Sequence, residues 1–267
     1  MTTEPLAIER DGHVETWTID RPDRRNPITD DDMVDAFCAA TSRVNRDAEV
    51  RAVILTGAGP AFSAGGDVKA MARRSGMFGG SPYQQRQGYR HGVQRLTMAM
   101  YGCEVPIVAA VNGAAVGAGC DLALMCDVRV AATDAFFAES FVKLGIIPGD
   151  GGAWLLPRIV GAARAAEMTL TGDRVEADRA LAWGLVSAVV SKDTLIKEAR
   201  GVADRIAVNP PHAVRMAKRL LQESQHQRLE SLLDMSASMQ ALAHHTDDHV
   251  EAMRAMVEKR VGDFHGR

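Results

Sequence analysis

Residues 106–131 read PIVAAVNGAAVGAGCDLALMCDVRVA, and this segment is the strongest indicator of the fold. It begins as a short apolar run typical of a buried strand and continues through a series of glycines and alanines. It ends with the spacing of a short helix followed by a second strand. The segment AFSAGGDVKAM at 61–71 follows the apolar run AVILTG at 52–57 in the same way. The repeated order of strand, small-residue turn and helix predicts α/β architecture built from repeated β/α units.

The N-terminal sequence extends this pattern outward. Residues 6–20 alternate polar and apolar side chains on both sides of Asp11-Gly12, which predicts a β-hairpin. The turn-rich segment RPDRRNPIT at 21–29 follows, and the acidic residues after Thr29 predict a helix that starts there. A further helix is expected from about Tyr83 to Tyr101.

The C-terminal sequence has a different character. After Val190 no strand pattern occurs, and helical patterns are separated by Asn209-Pro210-Pro211 and by a polar stretch. We therefore expect an α/β unit with the functional site over residues 1–195 and a helical region over residues 196–267. Apolar stripes in the helical region would serve an oligomer if one chain cannot bury them.

Composition excludes several classes of function. The 267 residues include 46% hydrophobic and 24% charged residues, the balance of a folded globular protein. The formal net charge of -3 comes from 31 basic and 34 acidic residues without a block of one sign, so no basic face suits a nucleic-acid backbone.

The cysteines and the N-terminal sequence bear on the cellular compartment of the protein. Cys38, Cys103, Cys120 and Cys126 form no CxxC pair and are expected to be core thiols. The segment MTTEPLAIERDG has no apolar signal-peptide core, and the longest apolar run is too short to span a membrane. We expect a cytoplasmic protein without membrane association.

The two small-residue turns, in segments 61–71 and 106–131, are suited to binding an oxyanion. Small side chains let a ligand approach the backbone closely, and the first turn of a helix presents N–H groups that lack intrahelical acceptors. One such turn is weak evidence, but two in one chain are informative. The dinucleotide fingerprint GxGxxG is absent, because the segments 57–62 and 117–122 both lack the third glycine, and a Walker loop is also missing.

Five segments resemble, in order, the motifs of the enoyl-CoA hydratase/isomerase (crotonase) superfamily, and the resemblance covers nearly the whole chain. They are RPDRRNPIT (21–29), AFSAGGDVKAM (61–71), PIVAAVNGAAVGAGCDLALMCDVRVA (106–131), FAESFVKLGIIPGDGG (137–152) and LTGDRVEADRALAWGLVSAVV (170–190). An ordered set of five motifs is far more specific than any single one. The resemblance implies the ClpP/crotonase fold, a spiral of repeated ββα units followed by a helical C-terminal oligomerisation region.

The resemblance also implies a site. In the superfamily two backbone N–H groups hold a thioester carbonyl, and the matching positions are Gly66 and Ala118. Preorganised donors at the oxygen of a developing enolate are worth several kcal/mol. The residues implied in coenzyme A or substrate binding are Arg24, Arg25, Pro27, Ala64, Asp67, Val68, Val116, Phe141, Pro148 and Gly149. Arg24 or Arg25 could meet phosphate or simply be solvated; Lys69 is a similar candidate, and Lys259 and Phe264 are weaker ones.

Hydratases of the superfamily use two glutamates, and this sequence departs from that pattern at both positions. The first is Asp121, which is shorter by one methylene, and the second is Phe141, which cannot move a proton. Asp150 lies where some double-bond isomerases of the superfamily, notably those acting on dienoyl-CoA, carry an aspartate. We therefore expect Asp121 and Asp150 to be the acid/base pair.

Other interpretations of these carboxylates remain open. Asp121 could cap its helix, and Asp150 could merely shape a glycine-rich turn. Glu139 would share a face with Phe141 in an extended segment and could point inward, but it ranks below Asp150. Two carboxylates in a partly dry pocket are expected to titrate as a unit.

The resemblance implies an enzyme that processes an acyl-CoA thioester by hydration, dehydration or double-bond isomerisation, and Phe141 favours isomerisation. The alternative is an acyl-CoA-binding homologue without hydratase activity. No cofactor is expected, because coenzyme A is part of the substrate. No metal is expected either, because the histidines at 244–249 lack an evident third ligand. The expected assembly is a homotrimer or a dimer of trimers, without nucleic acid.

Overall fold

The computed structural model describes residues 4–267, so the first three residues of the N-terminal segment tested for a signal peptide lie outside the described residues. The strands are β1 (Leu6–Asp11), β2 (Val14–Ile19), β3 (Ala52–Gly57), β4 (Ala61–Ser63), β5 (Ile107–Val111), β6 (Ala114–Val116), β7 (Val128–Ala132), β8 (Phe136–Ala138), β9 (Val175–Glu176) and β10 (Ala188–Val190). They form a six-stranded sheet in the order β1-β2-β3-β5-β7-β10 and a four-stranded sheet in the order β4-β6-β8-β9.

The helices surround the sheets and continue into the C-terminal region. They are α1 (Asp31–Asn45), α2 (Val68–Ala72), α3 (Pro82–His91), α4 (Val93–Tyr101), α5 (Ala118–Leu124), α6 (Gly152–Val160), α7 (Ala162–Thr171), α8 (Ala177–Ala182), α9 (Leu195–Ala207), α10 (Pro211–Glu223), α11 (Leu229–His244) and α12 (Asp247–Glu258). The order of elements confirms the predicted α/β architecture.

The hairpin expected around Asp11-Gly12 is present. β1 and β2 pair antiparallel, with Asp11 opposite Val14. β3 and β5 are buried along their whole length, because central parallel strands have both faces covered. Cys103, Cys120 and Cys126 are buried, which confirms the prediction of core thiols for these three, whereas Cys38 is half-buried.

Repeated ββα units bring the two small-residue turns together. β3, β5 and β7 each lie in the larger sheet, and each is followed by a strand of the smaller sheet, namely β4, β6 or β8. β4 and β6 are parallel neighbours, with Ser63 opposite Ala115. The carboxyl ends of parallel strands meet at one edge of a sheet, so the segments after Ser63 and Val116 are adjacent.

Two helix predictions need correction. The helix expected over 83–101 is two helices, α3 and α4, which are separated at Gly92 with φ of −102° and ψ of −119°. The first helix begins at Asp31 rather than at Thr29, and Asp30 occupies its N-cap position. Residues 76–78, within the glycine-rich segment 75–82, form one turn of 3-10 helix, which the sequence pattern did not indicate.

The C-terminal helices differ in how they are buried. α9 packs its alanine-rich face on β3 and β5, so the predicted boundary at residues 195/196 falls at the first turn of a helix that covers the larger sheet. α11 has no buried residue. None of the helices in residues 4–267 combines the length and apolar character needed to cross a bilayer.

Candidate active site

The two small-residue turns meet backbone to backbone. Gly65 has a φ of +84°, and a Cβ placed on it would lie 3.0 Å from the backbone N of Ala118 and would overlap the carbonyl oxygen of Val116. A Cβ on Gly119 would overlap the carbonyl oxygen of Ser63. Glycine is therefore required at both positions, because a side chain would force the turns apart.

Two donors are free beside this contact. The backbone N–H groups of Gly66 and Ala118 form no hydrogen bond with any group in residues 4–267. Ala118 is the first residue of α5, where an N–H has no intrahelical acceptor. Free N–H groups on two adjacent turns are the arrangement that an oxyanion requires.

A cavity of about 190 Å³ lies against both donors. It brings together six residues that the sequence assigned to the site, namely Ala64, Gly66, Val68, Val116, Ala118 and Phe141. Met71, Gly117, Ser140, Lys143, Leu144 and Ile146 complete the lining. Phe141 packs its ring against Gly117, so the wall beside the second turn is apolar.

The two arginines of the first motif differ. Arg24 forms ion pairs with Asp30 at 2.7 Å and Asp67 at 2.8 Å, and Asp67 also accepts hydrogen bonds from the first N–H groups of α2. Arg25 is exposed and has no side-chain partner among residues 4–267. Arg25 and the exposed Lys69 are therefore the cations that remain available to a phosphate.

The backbone next to Arg25 is tied to the first turn. Pro27 bridges Gly65 as a parallel strand residue, and the N–H of Ile28 donates to the carbonyl of Gly65 at 2.9 Å. The first motif therefore supports the position of the oxyanion turn. Lys259 and Phe264 lie outside the cavity lining, and the carbonyl of Phe264 accepts a hydrogen bond from Arg51.

Three carboxyl groups are buried together behind the cavity. Asp121 and Glu139 are 0% exposed and Asp150 is 4% exposed. Both oxygens of Asp121, both of Glu139 and Oδ1 of Asp150 have no well-formed hydrogen bond within residues 4–267. Buried carboxyl groups without partners are costly to a fold, so this cluster indicates function.

The turn that carries Asp150 is held by neighbouring helices. Thr97 of α4 donates its hydroxyl to the carbonyl of Asp150 at 2.7 Å, and the Gln94 amide donates to the carbonyl of Gly149 at 3.0 Å. Gly152, at the start of α6, lies so close to Asp121 that a Cβ would overlap the carboxyl group. α4, α5 and α6 thus fix both predicted catalytic carboxylates.

Burial and mutual repulsion shift the proton affinity of the cluster. Burial raises the pKa of Asp150 to about 7, and the Asp121 charge adds to this effect. Burial and the facing Glu139 hold the pKa of Asp121 well above its usual range. Burial raises the pKa of Glu139 as well. Three carboxylates in one dry site cannot all be charged, so the cluster holds protons near neutrality.

Glu139 is the residue that sequence reasoning undervalued. The chain stops being extended after Ala138, because Glu139 has φ of −89° and ψ of 65° and Ser140–Leu144 is a 3-10 helix. The expectation that Glu139 and Phe141 share a face was therefore wrong, since it assumed an extended segment. Glu139 faces Asp121 and the thiol of Cys120, whereas Phe141 lines the cavity.

A row of side chains fills the space between Gly66 and the Asp150 turn. A Cβ on Gly66 would lie 2.6 Å from Cε of Met71 and 3.9 Å from the ring of Phe78. The Phe78 ring meets Tyr89 edge to face, with 6.2 Å between ring centroids. Tyr89 Cε1 is 3.1 Å from the Cβ position of Gly149. No sequence pattern predicts this row, because its members belong to three separate elements.

Comparison with known proteins places this geometry in a family. The model of the enoyl-CoA hydratase/isomerase family matches residues 9–267. The chain belongs to this family. Over 265 residues it is 36% identical to the crotonyl-CoA hydratase of Syntrophomonas wolfei, with 99% of each chain covered. Over 262 residues it is 36% identical to the 1,2-epoxyphenylacetyl-CoA isomerase of Escherichia coli, with 96% of this chain and 97% of the isomerase covered.

A solved structure agrees. The crystal structure of an enoyl-CoA hydratase from Bacillus anthracis has a TM-score of 0.91 and 33% sequence identity, and the match covers 98% of this chain and 100% of that one. The enoyl-CoA hydratase/isomerase family resemblance and the crotonase fold predicted from the sequence are therefore confirmed. The chain is an enzyme of the hydratase/isomerase type.

The raised pKa of Asp150 predicts how the stability of this hydratase/isomerase family member depends on pH. The pKa rises from 3.8 to about 7 on folding, so the folded chain binds more protons than the unfolded chain between these values. This stabilising contribution is present at low pH and is lost as the pH rises through about 7. Its slope approaches ~1.4 kcal/mol per pH unit. Urea unfolding from about pH 4 to about pH 8 should show a weaker decline in Asp150→Asn than in the wild type.

The control for this measurement is Asp173→Asn. Asp173 is exposed, and its ion pair with Lys143 lowers its pKa. This variant should not flatten the decline across the same interval. A wild-type slope that survives unchanged in Asp150→Asn would show that the Asp150 carboxyl is not neutral in the folded chain.

Proposed function

We propose that this enzyme binds an acyl-CoA thioester, stabilises its enolate with the N–H groups of Gly66 and Ala118, and transfers protons with Asp121 and Asp150. The proposal is carried by one observation: two free N–H groups on abutting turns lie beside buried carboxyl groups without partners. The names of the hydratase and isomerase relatives support a thioester substrate.

The proton transfers follow from the unequal surroundings of the two carboxyl groups. When a base removes a proton from a carbon near the thioester, negative charge develops on the carbonyl oxygen, where the two N–H groups stabilise it. Asp150 retains some exposure and accepts this proton as a carboxylate. Asp121 is fully buried, holds its proton, and donates it to another carbon of the enolate. Removal and donation at different carbons move the double bond.

Isomerisation is the preferred reaction because Phe141 takes the place of a carboxylate. Hydration requires a water held and activated beside the double bond, and a buried phenyl ring in the cavity wall offers it no hydrogen bond. The thioester moiety is expected against the turns, with the coenzyme A phosphates near Arg25 and Lys69. Pro148 and Gly149, which precede Asp150, are proposed to contact the acyl group.

Proton exchange in D₂O tests the proposal. Crotonyl-, 3-enoyl- and 3,5-dienoyl-CoA are incubated with enzyme, and NMR follows deuterium at C2 to C5 while the products are identified. Deuterium uptake with a migrated double bond supports isomerisation, whereas a 3-hydroxyacyl product supports hydration despite Phe141. Absence of exchange with every thioester would contradict the proposed enolate chemistry for this panel.

One observation favours a second candidate, an acyl-CoA-binding protein without turnover. Asp121 and Glu139 are fully buried, and none of the three carboxyl groups lines the cavity. Calorimetry that detects acyl-CoA binding, together with no exchange across a broader panel that includes 3-hydroxyacyl thioesters, would favour this candidate. Turnover of any of them would exclude it.

We also propose that the enzyme is a trimer or a dimer of trimers built through its C-terminal helices. α11 and α12 carry exposed apolar side chains, including Leu229, Leu233, Leu242, Val250, Met253, Met256 and Val257. Exposed apolar side chains gathered on two successive helices are typical of an interface.

Sedimentation velocity should give three or six times the mass of one chain. A double variant, Leu233→Ser with Leu242→Ser, should shift the distribution toward smaller species, because it removes apolar area from the interface. The matched control is Leu170→Ser, which changes an equally exposed leucine on α7. A wild-type chain that sediments as a monomer at micromolar concentration would contradict this assembly.

A further inference from the structure

Glu139 is a buried ionisable side chain that the proposed proton transfers do not use. It follows β8 and precedes the 3-10 helix Ser140–Leu144. It is 0% exposed, and neither of its oxygens has a well-formed hydrogen bond within residues 4–267. A buried carboxyl group without a hydrogen bond lowers the stability of the fold, so its presence needs an explanation other than packing.

Another glutamate of the same chain shows what a structural carboxylate looks like. Glu15 is also almost fully buried, but it accepts hydrogen bonds from the indole of Trp17 at 2.9 Å and from both terminal nitrogens of Arg43 at 2.7 Å and 2.6 Å. Both carboxylate oxygens of Glu15 therefore accept hydrogen bonds from a donor or a cation. Glu139 has no comparable partner.

The groups around Glu139 are acidic or neutral on every side. Asp121 and the Cys120 thiol face it from α5, and the charge of Asp150 acts on it from the turn before α6. Asp121 is bounded in turn by Glu139 and by the N–H of Gly152. Among residues 4–267, no cation pairs with Glu139 to hold it as a carboxylate. The stable arrangement is therefore a carboxyl group facing a carboxylate, with one proton between them.

We propose that Glu139 is a positioning residue that shares one proton with Asp121 and returns a proton to Asp121 after Asp121 has protonated the enolate. This inference rests on the proposed function, in which Asp121 is the donor. Asp121 is the donor in the proposed function and Glu139 faces it, so Glu139 acts through Asp121 rather than on the substrate.

The step balances over one turnover. A C–H bond forms on the enolate carbon as the O–H bond of Asp121 breaks, which leaves the Asp121–Glu139 pair without its shared proton. Asp150 has meanwhile gained the proton that left the substrate. That proton passes from Asp150 to Glu139, and the O–H bond of Asp121 forms again as that of Glu139 breaks, so the starting state is restored and no proton is consumed.

The first test is the pH profile of Glu139→Gln, which keeps the size and polarity of the side chain but cannot ionise. Turnover should fall by about tenfold or more with little change in KM, because a general acid that is not resupplied becomes limiting. Asp121 loses the neighbour whose charge opposes its ionisation, so the alkaline limb of kcat should move to lower pH by about one unit. Glu139→Asp should restore part of the turnover.

The matched control is Glu223→Gln. Glu223 is a buried glutamate at the end of α10, and it is paired with Arg219 and His226. This variant should leave both kcat and its pH profile unchanged. A Glu139→Gln enzyme with wild-type turnover and an unshifted alkaline limb would overturn the relay. If Asp121→Asn were inactive in the same assay, the proposed function would stand without the Glu139 relay.

Infrared titration of the substrate-free enzyme tests the shared proton separately from turnover. The wild type should retain the carbonyl stretch of a protonated carboxyl group above neutral pH, and Glu139→Gln should lose it at lower pH than the wild type. Circular dichroism checks that each variant folds, with Glu139→Asp as the reserve variant. Titration of Asp121 at the same pH in both proteins would overturn the proton sharing. If the wild-type enzyme catalyses proton exchange in none of the thioesters, both the relay and the proposed function are overturned.

Discussion

Asp121→Asn should give an enzyme that turns over slower by a factor on the order of 10² to 10⁴ yet is more stable above about pH 7. The rate falls because an amide cannot donate the proton that the enolate requires. Stability rises because the variant removes a buried carboxyl group that faces Glu139 and has no well-formed hydrogen bond within residues 4–267. The KM should change little, since the thioester is held by backbone N–H groups.

The measurement combines steady-state kinetics with urea unfolding at about pH 8. A contrasting control is Asp248→Asn, because Asp248 is equally buried but accepts hydrogen bonds from the N–H groups of His265 and Gly266. That variant should lose about 1 to 3 kcal/mol of stability and keep its turnover. If Asp121→Asn lost stability and activity together, Asp121 would be a structural residue of α5.

The second large effect is expected for Gly65→Ala, which should lower kcat/KM by roughly 10² or more. The new methyl group would overlap the carbonyl of Val116 and crowd the backbone N of Ala118, so the turns must separate. Once the turns separate, the N–H groups of Gly66 and Ala118 no longer both point at one oxygen. A small displacement of preorganised donors lowers the rate strongly.

The control for Gly65→Ala is Gly184→Ala. Gly184 has a comparable φ of +75°, but a Cβ there has no neighbour within 4 Å. Both variants carry the backbone strain of a positive φ, roughly 1 to 2 kcal/mol, and only Gly65→Ala disturbs the turns. Equal activity losses in the two variants would show that strain, rather than the distance between the turns, sets the rate.

Much of this molecule is predictable from sequence because its signals are local. The small residues of 61–71 and 106–131 follow apolar strands, and parallel pairing then brings the two turns to one edge of the smaller sheet. The hairpin at Asp11-Gly12 and the helical C-terminal region also follow from short-range patterns. The α/β architecture and the two turns therefore follow from local signals, whereas the choice of Gly66 and Ala118 came from the resemblance to the enoyl-CoA hydratase/isomerase family.

What sequence reasoning missed depends on backbone direction and on contacts between distant segments. Gly92 interrupts a helical pattern that is otherwise continuous, and a single glycine does not reveal whether a helix will break. Glu139 turns inward because the chain leaves the extended conformation one residue after β8 ends. Periodicity assigns a side chain to a face only while the backbone geometry persists.

The row formed by Met71, Phe78 and Tyr89 has a consequence for association kinetics. These side chains occupy the space between the free donors and the Asp150 turn, and they belong to α2, the 3-10 turn and α3, which the break at Gly92 separates from α4. We expect an acyl group to reach the carboxyl cluster only after the row has moved. The observed binding rate should therefore level off as thioester concentration rises, at the rate at which the row opens, well below the diffusional limit.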